Sequence, residues 1–502
     1  GEILMAWYNN ILRRRKREEK QISLKQRTFQ GASKSRLFSD FSSTSSSADS
    51  EIQPNLKVLR ARARELARND SYVARYLNLM VSNVVGKSGI RISSKARDDN
   101  GSLDMRANQQ IEAAWKEWCH KGICVANGKM SFLDAQKLFV TTLYRDGEIL
   151  IQHIKTNTNK FGYMIRFWEA DHLDEDYNDT ANNGNTIKMG VEVDEYDRPV
   201  AYYLFKDHPY DTLYSNVRKR IRIPANEMMH CYLSDRPEQT RGVSPIATSM
   251  ANIKMLNGYL ISELTSSRVA ASKMGFFVSP DGNSYVGDED TGHGNAPVMS
   301  AEPGTFEQLP AGMTFQTFDP SHPSTAFDSF TTSVLRGIAS GLNISYHSLT
   351  NDLTSVNYSS IRQGALEDRA MYQISQQFMV QHMMEPIFRK WLEMSLGFGA
   401  INLPEEKFDK FFNGTNYVCR EWSWIDPLKE IQAHVVGLQN GITTYSDIAS
   451  SQGRDAEELM EMHQKEKDLM DQYGIKSAYQ PFGQKQPVPA DIAVSDEEVN
   501  NN

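Results

Sequence analysis

The stretch from Ser244 to Met274, SPIATSMANIKMLNGYLISELTSSRVAASKM, limits what this chain can become more than any other. Ser244 offers a capping hydroxyl, and Pro245 suits a first helical turn. About thirty residues follow without another proline, and as one helix they would span roughly 45 Å. Lys254, Glu263, Arg268 and Lys273 interrupt the run, so it is not a membrane span. Ile246, Met250, Ile253, Leu256, Leu260 and Leu264 form one apolar stripe, while Ser, Thr, Asn and Ala cover much of the rest. A long helix with one stripe and a wide, small, polar remainder suits packing against copies of itself.

The other segments fall into blocks around this rod. At 502 residues the chain exceeds one ordinary core, and two to four domains are expected. The first residues carry a basic run from Arg13 to Arg17, followed by polar rather than apolar residues, which does not read as an export signal. Residues 41–50, FSSTSSSADS, read as a flexible linker. From Asn55 to Val85 the pattern is helical, with arginines alternating with alanines and a break expected at Asn69-Asp70. Further helices are expected over Arg106–Trp118 and Ser131–Tyr144, the second opened by a Ser131/Asp134 capping box. From Gly147 to Leu233 the period switches to two, and GEILIQHI, GYMIRFWEA, TIKMGVEV, PVAYYLFK, KRIRIP and MMHCYL read as short strands. After the rod, residues 275–324 are rich in Gly, Pro and Asp and read as a small β-rich excursion. Helix resumes from about Thr325 to Gly341. A polar loop over Asn343–Ser360 leads into a long helix that Pro386 kinks, with Glu367, Asp368 and Arg369 on its outer face. Helices at about 427–440, 443–451 and 455–473 and a Pro/Gln-rich, acidic, disordered tail close the chain.

Composition and motifs exclude several chemistries. The formal charge is −8, from 55 basic and 63 acidic residues. Tight nucleic-acid binding rests on neutralising phosphates, so this balance disfavours a protein that grips DNA and leaves room for one that lets it pass. Four scattered cysteines suit reduced thiols in a cytosolic setting. Gly86-Lys87-Ser88 has the ending of a phosphate loop, but Val81 stands where the loop's first glycine is needed, so a motor ATPase is rejected. The acidic run Glu169–Asp176 reads as a solvated loop rather than a metal site, and Cys119-His120 with Cys124 lacks the second half of a zinc pattern. His153, His172, His230 and His347 accompany no nucleophile motif and read as core or surface residues. No catalytic residue, metal or cofactor is expected.

Five blocks carry a resemblance: RARARELARNDSYVARYLNLMVSNVVGKSGI, GVEVDEYDRPVAYYL, DRPEQTRGVSPIA, LRGIASGLNISYHSLTNDLTSVNYSSIRQGALEDR and WSWIDPLKEIQAHVVGLQNGITTYSDIASSQGRDAEELMEM. In this order, over about residues 55–473, they resemble the lambda-type portal proteins of tailed double-stranded DNA bacteriophages. The resemblance implies an α+β, portal-type subunit assembling into a ring, usually a dodecamer, at one capsid vertex. It implies a flexible arm over 1–54, a mixed α/β wing over 55–243 and 343–425, stem helices over 244–274 and 325–342, a clip over 275–324, a crown over 426–475 and a tail over 476–502. Asn343–Ser360 would form or adjoin the tunnel loop. Double-stranded DNA would be pumped through the ring by the terminase large subunit and later leave through it. Head-completion or adaptor proteins and the major capsid and scaffolding proteins would be the other partners, with no membrane involved. The location would be the virion, with host cytoplasm during assembly.

A ring repeats each axial residue once per subunit, so a conduit should carry few cationic positions. The candidate DNA-channel residues are Lys254, Arg268, Lys273, Arg336, Asn343, Asn351 and Arg362. The cations among them could instead form salt bridges between subunits, with Glu263, Asp328 or Glu367. The candidate clip residues facing terminase or adaptor are Phe276, Phe277, Tyr285, Phe306 and Phe315. The alternatives are another virion structural protein, such as a head–tail adaptor, or a DNA-processing enzyme.

Overall fold

In the computed structural model, the described residues are 44–211, 219–272, 276–278, 314–316, 327–354, 358–422, 427–451 and 456–475, with isolated positions before 44. The first long helix, α1, covers Ala48–Asn69 and so begins seven residues before the expected Asn55. The Ser-rich stretch supplies its cap: the Ser47 side chain accepts the Ser50 N–H. Pro54 is tolerated inside the helix, and Asp49 in the first turn accepts from the Thr240 N–H (2.9 Å) and hydroxyl (2.6 Å). The expected break is there. Asp70 is extended (φ −112°, ψ 126°), returns its N–H to Leu66 O and accepts the Val73 N–H at 2.8 Å, ending α1 and starting α2, Ser71–Met80.

A wide turn over Val81–Val85 ends at Gly86 (φ 69°) and leads to β1, Arg91–Ser94. Helix α3 covers Met105–Trp118, and α4 covers Phe132–Asp146 with the reciprocal Ser131/Asp134 capping box in place. Gly147 terminates α4 in the left-handed region (φ 92°). Strands β2 (Glu148–Lys155) and β3 (Tyr163–Trp168) follow, then β4 (Asp179–Thr180), β5 (Thr186–Lys188), β6 (Val191–Val193), β7 (Pro199–Phe205), β8 (Arg220–Pro224) and β9 (Met228–Tyr232). They form two antiparallel sheets, ordered β3-β2-β9 and β4-β5-β6-β7-β8. The expected β-rich block is there, divided between two sheets.

Helix α5 (Met250–Ser272) leaves this block, β10 (Phe276–Val278) pairs antiparallel with β11 (Thr314–Gln316), and α6 (Phe327–Gly341) returns. A one-turn helix α7 (Tyr346–Thr350) lies inside the expected polar loop. Helix α8 (Tyr358–Met379) passes through a wide turn at Val380–Met384 into α9 (Glu385–Gly397), with Pro386 in the first turn of α9. The bend thus has two physical sources, a widened turn and a residue with no N–H to donate. Asp368 departs from the expected outer face. It is buried on α8 and accepts from the Ser345 N–H (2.8 Å), the Ser345 hydroxyl (2.8 Å) and the Ser348 hydroxyl. After α10 (Phe408–Asn413), strand β12 (Thr415–Val418) pairs with β1, and α11 (Pro427–Gln439), α12 (Tyr445–Ser451) and α13 (Ala456–Gln472) follow.

The main core joins chain segments far apart in sequence. Trp115 and Trp118 of α3, Phe132 of α4 and Phe388 and Trp391 of α9 form an aromatic cluster, with Trp115 and Trp391 centroids 4.9 Å apart. Trp118 Nε1 donates to Tyr163 O at 3.0 Å, so its polar edge is satisfied inside the core. Ile246, Met250, Ile253, Leu256, Leu335 and Ile338 belong to the same cluster. The base of the α5/α6 hairpin is therefore continuous with the globular body.

Candidate functional site

The hairpin's base is built from unusually close contacts. Ser244 caps a short tight turn, Pro245–Thr248, rather than the long helix itself. The expected single rod is instead this tight turn followed by helix from Met250, and at the junction the Ser249 hydroxyl donates to Ile338 O (3.1 Å) while Thr248 Oγ1 donates to Gly341 O (2.7 Å). Both bonds cross to α6. A Cβ on Gly341 would sit 2.3 Å from Ser249 Oγ, so a larger residue there would force that hydroxyl off its present position against Ile338 O. Asn257 Nδ2 donates to Asp70 at 2.8 Å, tying α5 to the α1/α2 junction. Tyr259 stacks on Phe327 and meets Phe330 edge-on, with centroids 5.9 and 5.1 Å apart.

Immediately before Ser244 lies a buried ionic knot that the sequence did not announce. Glu148, fully buried at the start of β2, accepts from Arg241 Nη2 (2.6 Å) and Nε (2.8 Å), Arg60 Nη2 (3.1 Å) and the Gly242 N–H (3.2 Å). Burial pushes its carboxyl up, but the Arg241 charge and the His230 and Arg241 hydrogen bonds outweigh that and hold it well below its ordinary value. Burial pulls His230 down against the attraction of Glu148, and its Nε2 donates to Glu148 Oε2 at 2.9 Å. Arg60 also binds Asp171 (2.9 Å), and Arg64, one turn on, binds Asp146 (2.9 Å) and Asp171 (2.6 Å). The only forewarning is the i, i+4 spacing of Arg60 and Arg64 in the arginine-alanine row.

This knot also decides the fate of the acidic run. Glu169, Asp171 and His208 place their ligand atoms within 4.8 Å of one another. Guanidinium groups already occupy the carboxylates: Arg64 reaches both, and His208 reaches Glu169 at 3.2 Å. The run is a structural counter-charge rather than the solvated loop expected. Cys119 and Cys124 are free thiols, and burial pushes Cys124 up to about 12.

The candidate channel residues divide three ways. Lys254 and Arg268 are exposed on α5, with Ile261 between them at seven-residue spacing, so all three share one face. By helix geometry the two cations stand roughly 21 Å apart along it. Arg336 is exposed on α6, its guanidinium 5.6 Å from the Tyr346 ring, and Arg362 is half-exposed on α8. Asn343 and Asn351 are exposed and lie in the left-handed region (φ 55° and 59°), which asparagine tolerates better than most residues. Asn351 caps α7 there, and Asn343 turns the chain out of α6. Lys273, Tyr285 and Phe306 lie outside the described residues. Phe276, Phe277 and Phe315 lie on the β10/β11 pair, Phe277 opposite Phe315.

The hairpin also shows apolar side chains to solvent. On the outer side of the α5 base Met255 is 74% exposed, and above it Ile261 is 65%, Leu264 64% and Phe330 on α6 50% exposed. The expected stripe is thus buried only from Ile246 to Leu256; Leu260 is half-covered, and Leu264 faces outward.

Comparison with known proteins identifies the family. The model of the family described as "Phage portal protein, lambda family" matches residues 34–376. A probable portal protein of Halomonas phage phiHAP-1 is 32% identical over 462 residues, 90% of this chain and 88% of that relative. Portal protein B of Escherichia phage lambda is 24% identical over 453 residues, 83% of this chain and 84% of its own length. The neck of a native gene transfer agent particle, computed with C12 symmetry, aligns with a TM-score of 0.41 at 9% identity, covering 78% of this chain and 93% of that one. With its family matched over most of its length, this chain belongs to the lambda family of phage portal proteins, structural components of the virion rather than enzymes.

Proposed function

We propose that copies of this chain stand side by side in a closed ring, a dodecamer, with α5 and α6 forming the wall of an axial channel for double-stranded DNA. The observation that carries this is the change along α5, from a base whose stripe is sealed into the core as far as Leu256 to a shaft with Ile261 and Leu264 exposed. A ring interface is heterologous, so the shaft of one subunit meets a different face of the next and every copy covers its neighbour. Lys254, Arg268, Lys273, Arg336 and Arg362, with Asn343 and Asn351, are the candidate channel contacts. Repetition around an axis turns each cation into a belt of charge, while the chain's net charge of −8 keeps the conduit from gripping DNA. The β10/β11 end is the docking face for terminase during packaging and for head-completion proteins afterwards. The crown over 426–475 points into the head, where the capsid and scaffolding proteins contact the ring.

Electron microscopy of the purified protein tests the ring: a hollow, cone-shaped particle is expected, and an assembly with no open axis rejects the proposal. Replacing the five cations with glutamine tests the channel. Impaired packaging or retention in at least one variant is expected, and unchanged behaviour in all five rejects the channel assignment.

A further inference from the structure

A cleft of about 1060 Å³ among the described residues lies away from the hairpin, under helix α13. Its floor is the Gly86–Gly89 turn, β1 and the end of β12, and Leu459 and Met462 of α13 form one wall. Lys87, Arg91, Lys95, Lys137 and Arg420 line it, against the single acid Glu421. In a chain where acids outnumber bases, 63 to 55, this local excess is a departure that calls for an anionic partner.

The cations continue beyond the cleft. Lys137, Thr141 and Arg145 follow one another at four-residue intervals on α4, so they share a face and extend roughly 12 Å. Thr141 and Arg145 line a second open groove of about 570 Å³ with Arg64, Arg68 and Glu169, and Asn78 borders both. Arg64 and Arg145 are ion-paired with Asp146, and Arg64 also with Asp171, so the charge this track offers a ligand is concentrated at its Lys87, Arg91 and Lys137 end. Lys87 and Arg91 are exposed and Lys137 is half-exposed, leaving their charges within reach of a ligand. Arg420 is different: its guanidinium donates to Ser82 O, which makes it part of the wall. Gly86 and Gly89, both with φ near 70°, turn the chain so that Lys87 and Ser88 project at the rim. The Gly-Lys-Ser sequence that fails as a nucleotide loop therefore still lines an anion-attracting surface.

We propose that this track binds the phosphodiester backbone of duplex DNA at a site separate from the α5/α6 channel candidates, one site per subunit. A track of cations that offers no deep closed pocket reads backbone, not sequence. The proposal relies on the portal reading only to supply DNA as the polyanion. A second candidate occupant is the chain's own acidic segment around Asp496, Glu497 and Glu498.

The test uses the assembled full-length ring and a fluorescent duplex too short to thread and emerge, with anisotropy followed against salt. The variant Lys87→Gln/Arg91→Gln/Lys137→Gln should bind the duplex at least tenfold more weakly at low salt. The slope of log affinity against log salt should also fall by about 0.9 for every phosphate left without a cation, so roughly 2 to 3 in all. Lys87→Arg/Lys137→Arg should keep the original slope, which separates charge from fold. If the triple variant forms normal rings and binds with unchanged affinity and slope, the track does not hold DNA, and the portal reading is untouched. If the unmodified ring binds no duplex until Asp496, Glu497 and Glu498 are neutralised, the acidic segment is the occupant and the proposal is overturned. Failure of the unmodified chain to form a hollow ring would instead count against the portal reading.

Discussion

Arg241→Met is the sharpest test of how the wing is joined to the hairpin. The substitution keeps an apolar stem of similar reach but removes the guanidinium that contributes two of the hydrogen bonds Glu148 accepts. It also strips partners from Met189 O (3.0 Å), Ala170 O (3.3 Å) and Leu173 O (3.4 Å). Glu148 would remain buried with Arg60 as its one close guanidinium and a His230 ring whose charge burial disfavours. Breaking a buried ion pair from one side costs about 3–5 kcal/mol, because the abandoned charge is not resolvated. Trp115, Trp118, Trp168 and Trp391 are all buried in the wing, so tryptophan emission during urea unfolding reports this region. Arg241→Met should lower the apparent stability of that transition by several kcal/mol. Adding Glu148→Met removes the stranded charge, so the double variant should lose less than the sum of the two singles, by about 2 kcal/mol. A loss below about 1 kcal/mol for Arg241→Met, or strict additivity in the double variant, would show that the knot is not a coupled unit.

The same transition should depend on pH in a direction set by depressed histidines. Burial pulls His153 down to about 4 and lowers His230 as well, both from 6.5, so below 6.5 the unfolded chain binds more protons than the folded one. Stability should be complete above pH 6.5, fall as pH drops towards 4, and fall further below 4.5 as Glu148 begins to lose its advantage. A urea midpoint that rises on acidification from pH 7 to 5 would contradict this, and His153→Gln should flatten the slope. Glycines offer a contrast pair. A Cβ at Gly242 would lie 2.3 Å from Gly147 O and 2.5 Å from Tyr232 Cβ, whereas one at Gly258 in α5 meets nothing within 4 Å. Gly242→Ala should cost about 1–3 kcal/mol or more by overpacking, and Gly258→Ala should stabilise α5 by up to about 1 kcal/mol, both read by thermal melts. Equal effects at the two positions would refute the packing argument.

What was legible in the residues was whatever local chemistry decides. The Ser131/Asp134 box, the Asp70 break and the period-two strands each depend on neighbours within a few positions, and each stands where expected. The misplacements have two sources. The start of α1 at Ala48 is locally encoded, because Ser47 in the stretch read as a linker caps it, and Asp49 is then held by Thr240, nearly two hundred residues away. Asp368 reads as a surface acid until Ser345 and Ser348 fold over it. That last kind of partner is distant, and no local pattern encodes it. The candidate channel residues stand at another limit: which side of α5 faces an axis is a property of several chains together.

The physics of the hairpin explains why its two ends differ. At the base, Ile246, Ile253, Ile338 and the Ser249 and Thr248 hydrogen bonds fix α5 against α6 and the wing, so orientation is set by one chain alone. Above Leu256 the single chain buries less of the hairpin, and Ile261, Leu264 and Phe330 stay wet. Fully covering a large exposed apolar side chain contributes about 1.5–3 kcal/mol. Ile261, Leu264 and Phe330 are 65%, 64% and 50% exposed, so covering them by neighbouring subunits, as proposed, would contribute about 3–5 kcal/mol per subunit. On that proposal a rigid root makes the direction of the shaft a property of the monomer and its stability a property of the ring. Loosening the root at Arg241 or Gly242 would splay identical shafts by unequal angles, and a closed ring tolerates no spread in the angle between neighbours. Substitutions at the root should therefore lower the yield of closed rings more than polar substitutions at Ile261 or Leu264 of equal cost to the monomer, whereas the shaft substitutions should weaken rings once formed. Ring yield and dissociation, counted on electron micrographs along a dilution series, separate the two classes.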